Sequence, residues 1–203
     1  MTIERGVDWG APGRLADSGI EVRSDAELGR LVDGARRRGE PLPEVGLLAG
    51  DLCATLGGRG EAARLSDGTG QRLPIDIVRA RLDGVDHWFV CHLVARRARW
   101  HGRFVIAMNA DRLGEWLLAP AGHPNDGRVD VTDGSLGPRD RLRARARART
   151  GAHLPHPSLL SRRVQRWAAR LDRPTPVRLD GRRVGRATEV ELEVEPDALV
   201  VVV

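Results

Sequence analysis

Apolar residues recur at helical spacing in the first third of the chain and alternate with polar ones through most of the remainder. Residues 20–22 have the composition of a short strand, and Ser24-Asp25-Ala26-Glu27 follows them as a capping box. In such a box the Ser oxygen accepts a free first-turn amide while the Glu three residues on reaches back. Leu28, Leu31, Val32 and Ala35 then line one face at i, i+3, i+4 and i+7. Arg36, Arg37 and Arg38 complement the helix dipole, and Gly39 stands where a left-handed cap ends the helix. Beyond Pro41 and Pro43, residues 45–48 predict a buried strand, and Gly50-Asp51 opens a short helical segment that Gly57-Gly58 stops. From Leu73 the period changes. Residues 73–81, 86–94, 103–109 and 113–120 are short runs rich in Val, Ile, Trp and Phe, separated by turn signals such as Asp83-Gly84, which predicts an antiparallel meander. Residues 188–194 alternate Glu with Val or Leu, one face acidic and the other buried, and 200–203 read as a buried last strand. Between Pro138 and Gly151, residues 139–150 predict a helix: their Arg and Ala alternate, but both are good helix formers and poor strand formers.

Composition narrows the chemistry. With 203 residues, 41% hydrophobic and 30% charged, the chain can bury one good core or two small ones. All 33 basic residues are Arg and there is no Tyr, which excludes a phosphate-loop Lys, a Schiff-base Lys and a catalytic Tyr. The formal charge is only +5, a modest electrostatic signal. Cys53 and Cys91 lie far apart without a partner motif, against both a disulfide framework and a zinc site. No stretch approaches the roughly 20 apolar residues of a membrane span, and the opening residues carry no signal-peptide pattern. The expected location is cytoplasmic, with peripheral attachment at the inner membrane face as a variant.

Three stretches carry candidate chemistry in register: His123-Pro124-Asn125-Asp126-Gly127-Arg128-Val129-Asp130-Val131, then Val177-Arg178-Leu179-Asp180-Gly181, then the alternating tail from Glu189 to Val203. Together they resemble the carboxyl-terminal half of bacterial lipid kinases of the diacylglycerol kinase and sphingosine kinase superfamily. The resemblance runs from about Leu73 to the end and weakly upstream. It implies an α+β protein in which a truncated α/β nucleotide lobe, residues 1–65, precedes an antiparallel β-sandwich, residues 66–203. It also implies ATP and magnesium as cofactors if the chain is catalytic.

For site residues, a Gly between Asp126 and Asp130 permits a turn that aims both carboxylates at one hard cation, and the resemblance implies such a metal site. An Asx turn entering a strand is the plain alternative. Asp180 is the general base the resemblance implies, while Leu-Asp-Gly is equally a common hairpin signal. The family's following Glu is Arg182 here, which removes a carboxylate and is expected to hold Asp180 ionised. The glycines of the family's two phosphate loops are missing. Arg23-Ser24-Asp25-Ala26-Glu27 keeps only Asp25, and Leu47-Leu48-Ala49-Gly50-Asp51 keeps Asp51, so Asp25, Gly50 and Asp51 are the remaining candidates to touch a nucleotide. A cradle lined by Leu and Glu27 repels triphosphate. Ser66-Asp67-Gly68-Thr69-Gly70 looks like the lost loop but stands in turn position.

His153-Leu154-Pro155-His156 has a ligand-like spacing without further donors and reads as a packed loop, and His87 and His92 read as packing or surface residues. The Arg-rich segment 139–149, with Arg96, Arg97, Arg99, Trp100 and Arg103, offers a basic surface for anionic lipid headgroups, beside the plain reading of a solvated face. Nucleic acid is the poorer partner, because aromatics are 3% and no recognition motif interleaves with the arginines. Two functions remain: an ATP-dependent phosphotransferase acting on a lipid alcohol, with a second chain donating a nucleotide lobe as a further option, or a non-catalytic lipid or anionic-ligand binding module with an eroded ATP site.

Overall fold

A computed structural model describes residues 9–203. Its spine is one long strand. Strands β1 (Ala11–Pro12), β2 (Ile20–Val22) and β3 (Val45–Leu47) belong to the first third, with helices α1 (Asp25–Arg38), α2 (Asp51–Thr55) and α3 (Ala62–Asp67). The remainder supplies β4 (Gln71–Leu82), β5 (Val85–Phe89), β6 (His92–Ala95), β7 (Arg103–Met108), β8 (Arg112–Leu113), β9 (Trp116–Leu117), β10 (Val129–Ser135), helix α4 (Pro138–Ala148), β11 (Leu159–Val164), β12 (Arg166–Leu179) and the spine β13 (Arg182–Val202). The sheet runs β1-β4-β13-β12-β6-β7-β10-β11, with β5 against β4.

Helix α1 starts as its capping box requires. Ser24 accepts from the Glu27 amide at 3.2 Å, Glu27 accepts from the Arg23 amide at 2.7 Å, and Gly39 closes the helix with φ 70°. Its inner face buries Ala35 and packs Leu28 and Val32 in one core with Val45, Leu52, Ile75, Ile77 and Val201. The expected sandwich is built by one sheet curling on itself. Val78, Val105, Val131, Leu179 and Val190, from β4, β7, β10, β12 and β13, meet in a single core.

The expected division at residues 65 and 66 falls inside α3, and the sheet runs on across it. Strand β3 adds parallel to the end of β13, Val45 opposite Val201, and β2 adds parallel to β3. Two expected strands differ. The run 113–120 yields only the two-residue strands β8 and β9, and the run 86–94 is broken between Phe89 and His92. The second break has a cause in the site below.

Candidate functional site

Asp180 is the centre of the arrangement. It and Gly181 form the two-residue turn joining β12 to β13, with φ 47° and 77° and Leu179 paired to Arg182, which is the hairpin geometry that Asp-Gly favours. The turn delivers the Asp180 carboxylate into the interior, 1% exposed. Three consecutive amides meet it there. Val90 N donates to Oδ2 at 3.0 Å, and Cys91 N and His92 N donate to Oδ1 at 2.8 and 3.0 Å. These amides cannot also serve a regular ladder, so the chain leaves the sheet between β5 and β6. Burial pushes the Asp180 carboxyl up from the usual range, opposed by His92 and the three amides. Helix α1 closes the site from above: a Cβ on Gly29 would lie 2.4 Å from Asp180 Oδ2.

Asp25 and Asp51 stand on the neighbouring loops. Asp25 Oδ2 accepts from the Asp51 amide at 2.7 Å and Oδ1 from the Leu52 amide at 3.2 Å, while Cys91 Sγ lies 3.1 Å from Oδ1. The side chain therefore occupies the free amides at the start of α2, the groups a strand-loop-helix unit would offer to an anion. Gly50, at φ 112°, permits the approach, since a Cβ there would lie 2.5 Å from Asp25 Oδ1. Both oxygens of Asp51 face the Gly114 amide at 3.0 Å. Burial raises its carboxyl, Asp25 adds to the effect, and His92 and Arg112 oppose it. Asp25, Gly50, Asp51 and Asp180 are thus brought to one junction, with Cys91 bridging Asp25 and Asp180.

Asp126 and Asp130 are brought together elsewhere. Both face the Arg163 guanidinium from β11: Asp126 Oδ2 in a close ion pair with Nη2, Asp130 Oδ2 at 3.8 Å from Nε. Asp126 Oδ1 also accepts from the Arg128 amide at 2.9 Å, an Asx turn. The two carboxylates do converge on one cation, and it is an arginine of the chain itself. The loop that carries Asp126 is latched by Asp76, 1% exposed, which accepts from Gly127 N at 2.7 Å and also from Asp197 N at 3.0 Å. Burial, with Asp126 nearby, pushes the Asp76 carboxyl to about 6. Asn109 links this loop to the Asp180 site, its Nδ2 donating to Asp76 O at 2.9 Å and Val90 O at 2.8 Å.

Arg182 departs from expectation. Its Nη1 lies 3.7 Å from Asp33 on α1, while the leading influences on Asp180 are burial, His92 and the three amides. The expectation that Arg182 holds Asp180 ionised is therefore corrected: the guanidinium is drawn to the Asp33 carboxylate of α1, and burial raises the Asp180 carboxyl instead. His153 is buried, and His156 Nδ1 accepts from the Ser158 amide at 3.1 Å, as in a structured loop. Ser66 to Gly70 makes an Asx turn, Asp67 Oδ1 accepting from Thr69 N at 2.8 Å. Sequence reasoning missed the roles of Gly29, Asp76, Cys91 and His92. A mid-helix Gly and a buried-strand Asp were the available signals.

Solved structures share this architecture. A "putative diacylglycerol kinase" from Bacillus anthracis str. Sterne superposes with a TM-score of 0.69 at 12% identity, covering 91% of this chain and 77% of its own. A second such structure from that organism gives 0.68 at 12% over the same shares, and a diacylglycerol kinase structure, also from it, gives 0.64 at 13% over 91% and 75%. The chain has the diacylglycerol-kinase-like fold. No family model and no curated protein matches the sequence.

The residues at the junction do not fit the triphosphate that the sequence resemblance implies. The α2 amides are already taken by Asp25, and Asp51 adds a second carboxylate beside them. For magnesium, Arg163 takes the place a cation would hold between Asp126 and Asp130, and no group of three or more His, Cys, Asp or Glu among the described residues could hold a metal ion.

Proposed function

We propose that this chain is a diacylglycerol-kinase-like binding module that acts at anionic lipid surfaces without transferring phosphate itself. One observation carries the reading: the Asp25 carboxylate lies on the Asp51 and Leu52 amides, where a phosphate would need them. A nucleotide would have to displace an internal anion and then sit beside Asp51. Asp180, the base of the catalytic alternative, has its oxygens engaged by three amides and is roofed by α1 at Gly29, out of reach of a lipid hydroxyl. The lipid arm of the proposal rests on α4, where Arg139, Arg143 and Arg147 are exposed and Leu142 projects among them at 73% exposure. No helix among the described residues is long and apolar enough to cross a membrane.

Titration calorimetry with magnesium-ATP tests the non-catalytic half. The expected result is no saturable binding up to millimolar nucleotide and no labelled phosphate passed to diacylglycerol in mixed vesicles. Saturable sub-millimolar binding together with transfer that Asp180→Asn abolishes would restore the phosphotransferase.

A further inference from the structure

Four arginines line a groove of about 210 Å³ on the face of the sheet beside the β12–β13 turn: Arg96 and Arg97 after β6, Arg178 on β12 and Arg183 on β13. Val94, Ala98 and Pro176 complete the lining, and no acidic residue contributes to it. Several arginines elsewhere are met by carboxylates, as in Arg36 with Glu195, Arg103 with Asp133 and Arg163 with Asp126, and ones without an ion pair among the described residues, such as Arg139 and Arg147, stand on the open face of α4. The four around the groove form no ion pair with a described residue. Three of them are nevertheless held in place. Arg96 stacks on Trp100 at 4.7 Å from the ring centroid and donates Nη1 to the Arg97 carbonyl at 3.3 Å, and Arg178 Nη1 donates to the Gly181 carbonyl at 2.8 Å. Arg97 lies against Gly102, whose φ is 71° and which no larger residue could replace without moving that guanidinium.

We infer that this groove is a binding site for a phosphate dianion, either free or at the end of a small phosphomonoester. Like charges gathered without a counter-ion raise each other's energy, and a concave wall concentrates their field on whatever anion enters. Guanidinium forks match phosphate oxygens two at a time, and positions fixed by stacking and carbonyl contacts reduce the ordering cost of binding. The site is distinct from the Asp180 junction and does not rest on the function proposed above. It touches that junction mechanically, through Arg178 and the Gly181 carbonyl of the turn that carries Asp180.

Inorganic phosphate is the probe, titrated into the full chain at low ionic strength and followed by calorimetry and by arginine side-chain NMR. Saturable binding is expected, with Arg97 and Arg183 among the shifted resonances. It should weaken about tenfold or more in Arg97→Gln/Arg183→Gln and stay unchanged in Arg30→Gln/Arg59→Gln, at exposed arginines away from the groove. A second arm compares vesicles bearing a phosphomonoester headgroup with phosphodiester vesicles of matched surface charge. Preference for the monoester that the groove variant loses assigns the phosphate to a lipid; its absence, with inorganic phosphate still bound, assigns it to a soluble source. No saturable phosphate binding by the wild type, or equal affinity in the groove variant, overturns the inference. Both groove substitutions are at surface side chains without ion partners, and a thermal melt checks that the variant is folded.

Discussion

Gly29 is the residue at which two physical rules give opposite signs. In an exposed helix, replacing Gly by Ala stabilises by about 1 kcal/mol. Here the added methyl would meet a buried carboxylate oxygen at 2.4 Å, with its hydrogen bonds already arranged around it. Overpacking of this kind costs about 1–3 kcal/mol, and disturbing a buried, hydrogen-bonded carboxylate adds to it. Gly29→Ala is expected to lower stability by about 2 kcal/mol in denaturant melts, whereas an equal or higher midpoint would mean that α1 does not press on Asp180. Asp76 gives a second single-residue expectation, in pH. Its folded-state value is raised from the usual carboxylate range to about 6, so the folded chain holds this proton more tightly than the unfolded chain does. Its stabilising contribution is present below about 4 and is lost as pH rises through about 6. Relative to Asp76→Asn, which does not titrate, the wild type should gain stability as pH falls from about 6 to about 4. Melts of both proteins across that window read the difference, and parallel curves would refute it.

At the scale of an element, α4 is set apart by what covers it. Only Ala148 is buried, while Arg145 lies over Trp116 at 5.7 Å and Arg149 pairs with Glu115 at 3.0 Å. Those two contacts hold the helix to the β8–β9 segment, which leaves Arg139, Arg143 and Arg147 as the cations free to meet a surface, apart from a long 3.9 Å pairing of Arg143 with Asp140. Each basic side chain near an anionic bilayer contributes about 1 kcal/mol, so changing the three together to Gln should weaken vesicle binding by about a hundredfold. Binding by the wild type should also fall steeply from low to physiological salt. The melting temperature should not move, because none of the three is in the core. Undiminished flotation of the triple variant with anionic vesicles would remove α4 from the lipid-binding proposal.

Taken whole, the molecule is organised by β13, whose first half pairs with β12 and β4 and whose last residues pair with β4 and β3. Ile75, Ile77 and Val201 of the sheet are covered by Leu28 and Val32 of α1, so the first third and the curled sheet share a core. Such sharing predicts a single cooperative unfolding transition. Tryptophan fluorescence, reporting Trp88 near α1 and Trp167 on the distant hairpin, should coincide with circular dichroism, and a 66–203 fragment should fail to fold to a native-like state. Two resolved transitions, or a fragment with a sharp melt of its own, would favour independent units.

The sequence by itself determined the elements whose cause is local. The Ser24–Glu27 box and the Gly39 cap define α1, Pro138 starts α4, the Glu–Val alternation predicts the exposed and buried faces of β13, and Asp180-Gly181 makes its turn, because each depends on backbone and side-chain preferences within a few residues. Only the tertiary structure decided where those elements meet. The run through Val90 and Cys91 looks like uninterrupted strand, and it breaks because a carboxylate 89 residues away in sequence takes its amides. Asp25 carries the same letter whether it binds a nucleotide or caps α2, and the choice lies in a loop 26 residues on. Asp126 and Asp130 aim at one cation as their spacing allows, but Arg163 arrives from another strand to be it. Local pattern fixes which groups face inward; the partner that neutralises a buried charge is chosen by long-range packing, where desolvation makes an unpaired charge too costly to leave alone.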